Sequence, residues 1–156
     1  MKKIPFFDYP ALYRLYEAEF VDAFKSASQR GAFIMQKDLE DFEARLAGFT
    51  GSKHAIGLAD GTMALLIGLR STGIEPGDEV LVPSHTFVAS AAAIHHAGAK
   101  PILVDCCEDH LIDPAAAAAA ITSRTRAIMP VQLNGRVANM DAICALAEKQ
   151  DRKSVV

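Results

Sequence analysis

Cysteine is scarce in this sequence and does not occur in the spacings that bind zinc or build disulfide frameworks. The three cysteines are Cys106, Cys107 and Cys144, and no Cys-x-x-Cys pair is present. An odd count with two adjacent members argues against both kinds of site. We therefore predict free thiols, no metal site and a reducing, cytoplasmic location.

Long hydrophobic runs and blocks of like charge are also lacking. The longest run of small apolar residues, 87–99, is interrupted by His95 and His96, whereas crossing a membrane needs about 18 or more apolar residues in succession. The amino terminus is basic but has no apolar segment of the signal-peptide kind. The net charge is −3 and the basic residues are scattered, so we predict neither a nucleic-acid partner nor a membrane partner.

The composition is that of a globular protein, with 51% hydrophobic and 22% charged residues in 156. Apolar residues recur every three or four positions over 9–30 and 37–49, which predicts two amphipathic helices. Further on, short apolar runs alternate with helical stretches, and these runs lie at 54–58, 79–83, 101–104 and 127–129. Uninterrupted apolar runs are typical of parallel strands covered by helices on both faces.

The alternation predicts two parts of the chain with different architecture. Residues 1–52 form an N-terminal helical segment, and residues 53–150 form an α/β domain whose mostly parallel sheet has helices on both faces. Residues 151–156 are polar where a short turn into an apolar strand is expected. We expect them to be a non-native tail on a fragment of a longer protein.

The first candidate site is the loop at 59–65. Ligands of such sheets bind where strand ends meet helix N-termini. Gly61 would let a ligand approach the backbone, and Thr62 would add an amide and a hydroxyl at the positive end of a helix, as in phosphate sites. Asp60-Gly61-Thr62 is also explained as a capped turn, and the local sequence leaves both interpretations open.

Two further loops are predicted at the same edge of the sheet. In the loop at 82–90, Phe87 stands at a helix start, where it could stack on a planar ring or belong to the core. The loop at 130–136 brings Gln132, Asn134 and Arg136 to this edge. Hydrogen bonding to a cofactor or an anionic substrate and a turn built on Asn-Gly are both consistent with that loop.

Taken in order, the motifs are more specific than any one of them. They are PFFD at 5–8, GAFI at 31–34, FE at 42–43, GLADGTMAL at 57–65, PGDEV at 76–80, PSHTFVA at 83–89, GAKP at 98–101 and MDAI at 140–143. This ordered set resembles the amino-terminal part of the DegT/DnrJ/EryC1/StrS family, the pyridoxal-phosphate-dependent sugar aminotransferases. The resemblance implies the large domain of a fold type I PLP-transferase, present here in part.

The resemblance also implies an activity and its partners. The enzyme would be a homodimer that transfers an amino group from glutamate or glutamine to a nucleotide-linked keto-sugar, in amino-sugar and surface polysaccharide biosynthesis. Pyridoxal 5'-phosphate would be the cofactor. By position, Gly61 and Thr62 would bind its phosphate and Phe87 would stack on its ring. Asp60, where many relatives have Ser or Asn, is the fourth predicted cofactor-binding residue.

This chain also departs from the family pattern in the third loop. Residues 132–135 read Gln-Leu-Asn-Gly where family members usually have His-Leu-Tyr-Gly. Transamination needs a lysine amine and an acid beside the pyridine nitrogen, and in the family both lie beyond the helix that ends near residue 150. We therefore assign no catalytic residue and expect this fragment to be inactive alone.

Two other functions stay open. One is a sugar dehydratase of the same family, in which histidine replaces the lysine. The other is a non-catalytic α/β module that binds a phosphorylated ligand. A dinucleotide-dependent dehydrogenase is disfavoured, because no Gly-x-Gly-x-x-Gly follows any predicted strand.

Overall fold

The computed structural model describes residues 4–149 and the backbone of residues 153–154. The chain divides into two compact units, Met1–Gly57 and Leu58–Val156. The first contains two long helices, and the second contains a parallel sheet with its helices.

Both predicted helices of the first unit are confirmed. Helix α1 spans Tyr9–Gln29, and the Asp8 carboxylate before it accepts a hydrogen bond from the Ala11 amide at 3.0 Å. Helix α2 spans Lys37–Thr50 and ends at Gly51, whose φ of 70° lies in the left-handed region that glycine adopts without a steric penalty. The start of α1 and the end of α2 thus have residues suited to those positions.

The strand predicted at 54–58 is wrong, because the structure has no strand there. The Gly57 amide, which a strand would use for pairing, donates instead to Glu43 Oε1 at 2.6 Å. The backbone at Gly57 also packs directly on α2, since a Cβ there would lie 2.5 Å from Leu39 Cδ1. An apolar run becomes a strand only when a neighbouring strand offers it hydrogen-bonding partners.

The second unit alternates helices and strands. In chain order these are α3 Gly61–Ser71, β1 Glu79–Pro83, α4 Val88–His96, β2 Lys100–Val104, α5 Pro114–Ala120, β3 Thr125–Ile128, α6 Met140–Lys149 and β4 Lys153–Ser154. The strand order is β2-β1-β3-β4, and every pairing is parallel. The predicted α/β class with a parallel sheet is therefore confirmed. Of the predicted tail, only the two residues of β4 fall within the described part of the chain.

Strand β1 lies inside the sheet and is buried along its whole length. Its side chains alternate between the two faces, so that Val80 and Val82 join one hydrophobic cluster and Leu81 joins the other. Residues of α3 and α4 complete the first cluster, and residues of α5 and α6 complete the second. Helices on both faces explain why the run at 79–83 is apolar without alternation.

A buried carboxylate ties the amino ends of β1 and β3 together. The Glu79 side chain is 2% exposed and accepts hydrogen bonds from the Thr122 hydroxyl and from Arg124 Nη2, the latter at 2.7 Å. The Thr122 hydrogen bond, followed by those of Arg124, lowers the pKa of the Glu79 carboxyl below its ordinary value of 4.5. This contact lies at the edge of the sheet opposite to the candidate site.

Candidate functional site

The three predicted loops surround one cavity of about 560 Å³ in the second unit. The start of α3 forms one wall, the segment after β1 forms the second and the segment after β3 forms the third. The lining residues are Gly61, Thr62, Leu65, Thr86, Phe87, Ala89, Ser90, Val131, Gln132, Leu133 and Asn134. Parallel strands bring their carboxyl ends to one edge, which is why segments distant in sequence meet here.

The first wall is the amino end of α3. Asp60 caps this helix: its Oδ1 accepts from the Met63 amide at 2.9 Å, and its carbonyl accepts from the Ala64 amide at 3.0 Å. The Gly61 and Thr62 amides have no hydrogen-bond partner among the described residues. Unpaired amides at the positive end of a helix favour an anion. The loop is therefore both a capped turn and a potential anion site.

Gly61 leaves the space beside this helix end open. A Cβ built at Gly61 would meet no heavy atom within 4 Å. A ligand oxygen can therefore come close to the backbone without displacing protein atoms. Asp60, by contrast, does not line the cavity, and the structure gives its side chain the capping role. Its participation in cofactor binding stays a prediction.

The second wall presents an aromatic ring to the cavity. Phe87 immediately precedes α4, and the residue is 73% exposed. The alternative that Phe87 belongs to the core is therefore wrong. An aromatic side chain in this position offers a planar, apolar surface on which a ligand ring can stack.

The third wall is anchored by Gln132, which both lines the cavity and bonds to the chain that follows it. Its Oε1 accepts from the Ala138 amide at 2.6 Å, and its Nε2 lies 3.4 Å from Met140 Sδ. The carboxamide thereby joins the loop to the first residue of α6. Sequence reasoning placed Gln132 at this edge but did not identify the two contacts that hold it there.

Asn134 and Arg136 of the same loop have different surroundings. Asn134 lines the cavity and adopts a φ of 55°, followed by Gly135 at 77°, so the predicted Asn-Gly turn is present. Arg136 is absent from the lining, and its Nη1 donates to the Asp109 carbonyl at 2.8 Å. Arg136 thus fixes the loop to its neighbour, while the Asn134 side chain is available at the cavity.

The cavity is uncharged on all the walls that the structure describes. Its lining consists of apolar residues, hydroxyl side chains and carboxamides, without a lysine, arginine or carboxylate. An anion bound here would therefore depend on helix amides and hydroxyl groups rather than on a positive side chain. Sequence reasoning missed Thr86 and Ser90, although hydroxyls four residues apart at a helix start are visible in the sequence.

Other reactive groups lie outside this cavity. The cysteines are free, and the pKa of the Cys107 thiol is raised by desolvation and by the Asp113 and Asp109 carboxylates, which disfavours a reactive thiolate. Within the described residues, no group of three or more His, Cys, Asp or Glu side chains is placed to hold a metal ion. In the same part of the chain, no helix has the length and apolar character needed to cross a membrane.

Comparison with known proteins shows which family has this sequence and fold. The sequence model of the DegT/DnrJ/EryC1/StrS aminotransferase family matches residues 15–153, which include all three walls of the cavity. The chain belongs to the DegT/DnrJ/EryC1/StrS family. The resemblance found in the ordered motifs is therefore confirmed.

One curated relative and two solved structures illustrate this membership. The dTDP-3-amino-3,4,6-trideoxy-alpha-D-glucose transaminase of Streptomyces venezuelae is 43% identical over 148 residues, which are 94% of this chain and 39% of that protein. The crystal structure of S. venezuelae DesV superimposes with a TM-score of 0.93 at 41% identity, covering 99% of this chain and 42% of that one. NtdA of Bacillus subtilis, solved with bound cofactor PMP, gives a TM-score of 0.94 at 31% identity and coverages of 99% and 36%.

This chain thus spans 36–42% of the length of these relatives. The superpositions confirm the predicted fold class, the large domain of a fold type I PLP-transferase. Members of the DegT/DnrJ/EryC1/StrS family are sugar transaminases that depend on pyridoxal phosphate. The assignment to the transaminases therefore holds at the level of the family.

Proposed function

We propose that this chain provides the cofactor-binding part of a pyridoxal-phosphate-dependent aminotransferase acting on a nucleotide-linked keto-sugar. The observation that carries the proposal is the shared cavity, in which the unpaired amides of Gly61 and Thr62 lie on one wall and the exposed ring of Phe87 on another. An anion site beside an aromatic surface suits a phosphorylated planar ring. Membership of a family of sugar transaminases supports the same conclusion.

The residues present fit this cofactor. The phosphate would bind at the start of α3, where Gly61 leaves open space and Thr62 offers an amide and a hydroxyl. Phe87 would contact one face of the ring and fix its orientation. When bound, pyridoxal phosphate supplies an electron-accepting ring for amino transfer, chemistry that protein side chains lack. The task of these residues is to bind and orient it.

The finer points of the function are also proposals. By the family resemblance, glutamate or glutamine is the amino donor, the working enzyme is a cytoplasmic homodimer and the product enters amino-sugar and polysaccharide biosynthesis. The name of the Streptomyces venezuelae relative supports a nucleotide-linked sugar. No lysine lines the cavity in the described part of the chain, so we propose that these walls hold the cofactor without converting substrate on their own.

Binding of pyridoxamine 5'-phosphate (PMP) to the purified chain tests the proposal. PMP is the right probe, because it carries an amine and forms no covalent bond with a lysine. Removing a hydrogen bond to the phosphate in Thr62→Val should weaken PMP binding by about three- to tenfold, measured by calorimetry or ligand fluorescence. A wild-type chain that does not bind PMP, or binds it no better than pyridoxamine without phosphate, contradicts the proposal.

Gly61→Ala gives a sharper test of the same site. The added methyl group would meet no protein atom within 4 Å, so the fold should tolerate it, whereas a phosphate close to this backbone would collide with it. Overpacking of about 1–3 kcal/mol corresponds to at least roughly fivefold weaker PMP binding. Gly68→Ala is the matched control in the same helix, since its Cβ also meets no atom within 4 Å and Gly68 does not line the cavity.

A further inference from the structure

The second wall of the cavity contains a pair of hydroxyl groups to which the proposed function gives no role. Ser90 is 5% exposed, and its Oγ lies 2.9 Å from Oγ1 of the half-buried Thr86. Both residues line the cavity, one on each side of Phe87 in the sequence. The pair is therefore fixed next to the ring that we propose as the stacking surface.

The hydrogen-bonding capacity of this pair is only partly used. Each hydroxyl has one proton to donate, and the single bond between Thr86 and Ser90 uses one of the two. The hydroxyl that accepts this bond keeps its own proton, which makes no hydrogen bond to any residue that the structure describes. An unused lone pair on an oxygen is common, whereas a buried donor without an acceptor is costly.

We propose that the Thr86–Ser90 pair is a further ligand-binding site. Its spare hydroxyl group donates a hydrogen bond to an acceptor oxygen of the molecule bound against Phe87. This inference rests on the proposed function. A phosphorylated pyridine offers two kinds of acceptor oxygen, those of its phosphate and that of its ring hydroxyl. The donor is neutral and lies in an uncharged cavity, so it adds orientation to the phosphate binding of Gly61 and Thr62 without adding charge.

The assignment predicts a specific pattern among variants. In Thr86→Val or Ser90→Ala, one hydroxyl remains and can still donate to the ligand, so each single change should leave PMP affinity within about twofold of wild type. The double variant Thr86→Val/Ser90→Ala removes both donors and should bind PMP about three- to tenfold more weakly. If each substitution instead weakened binding by its own structural disturbance, the two effects would add. Each single variant would then show part of the loss of PMP affinity seen in the double variant.

The experiment is PMP titration of the full chain carrying these changes. Thr86→Ser/Ser90→Ala alters the same two positions but keeps one hydroxyl, so it should recover the wild-type affinity. Ser84→Ala is the control within the same loop, because Ser84 does not line the cavity. If the valine-containing double variant does not fold, Thr86→Ala/Ser90→Ala removes the same hydroxyls with less bulk.

Inorganic phosphate as a second probe distinguishes the two acceptor oxygens. If the double variant loses affinity for both inorganic phosphate and PMP, the hydroxyl pair bonds to the phosphate. If it loses affinity for PMP alone, the pair bonds to the ring hydroxyl. A folded double variant that binds PMP like wild type overturns the inference, as do single variants that lose as much as the double. Since the wild-type chain and Thr62→Val still report on the proposed function in those cases, the two failures are distinguishable.

Discussion

At the scale of the residue, Phe87 lies where the binding that we propose needs an aromatic ring, and outside the core. The residue is 73% exposed and lies at the wall of the cavity rather than in either hydrophobic cluster. The sequence showed an aromatic at a helix start but not whether its ring would face the core or the ligand. That choice depends on packing between elements, which local periodicity does not contain.

Phe87→Ala should therefore separate binding from stability. Losing a stacking surface worth about 0.5–1.5 kcal/mol should weaken PMP binding roughly three- to tenfold. The midpoint of thermal unfolding should change little, because the side chain buries little area in the folded chain. Val88→Ala is the control, since Val88 is 71% exposed and lies outside the cavity. A large fall in the unfolding midpoint without loss of PMP would contradict this account.

At the scale of the element, the start of α3 combines a structural role with the binding role that we propose for the adjacent residues. Asp60 satisfies the Met63 amide, which leaves the amides of Gly61 and Thr62 available to a ligand. The Asp-Gly-Thr sequence predicted both a cap and an anion site, and the two are compatible because a helix start has several unpaired amides. The third loop is similar, since its Asn-Gly turn also places Asn134 at the cavity.

Replacing the caps of two helices tests this division of roles. Asp60→Ala and Asp113→Ala each remove a carboxylate that accepts from an amide of the helix it precedes, at 2.9 Å and 2.8 Å, and each should destabilise the chain by about 0.5–2 kcal/mol. Only Asp60→Ala should also weaken PMP binding, because α5 does not contribute to the cavity. Chemical denaturation and PMP titration measure the two effects; equal PMP affinities would show that the cap does not organise the ligand site.

At the scale of the whole molecule, the sequence predicted a helix or strand correctly where the residues of that segment alone determine its structure. The uninterrupted run at 79–83 predicted a strand covered on both faces, and β1 is one. The equally apolar run at 54–58 is not a strand, since the Gly57 amide bonds to Glu43. Pairing of this kind depends on distant parts of the chain. For the same reason, sequence placed Gln132 and Asn134 at the right edge but did not reveal the contacts of Gln132.

Stability of the second unit should depend on pH through Glu79. Because its folded-state pKa is lowered, its contribution to stability is fully present above the ordinary value of 4.5 and is lost as the pH falls through the lower, folded-state pKa. In Glu79→Gln, the midpoint of thermal unfolding should fall less steeply as the pH decreases. Circular dichroism at several pH values below 6 measures this midpoint. Glu75→Gln removes an exposed carboxylate from the segment before β1 and should leave the pH dependence of the unfolding midpoint unchanged. If the unfolding midpoint falls steeply with decreasing pH in both variants, another group is responsible for the acid sensitivity.

The parallel sheet also has a consequence for protein engineering. All of its described strands run in one direction. The Glu79–Arg124 ion pair therefore lies at the amino edge of the sheet, and the walls of the cavity follow the carboxyl edge. We expect substitutions that strengthen the first edge to leave the second unchanged. Substitutions at the amino ends of the strands can then be chosen to raise the melting temperature. Substitutions at the carboxyl ends can be chosen separately to alter ligand preference.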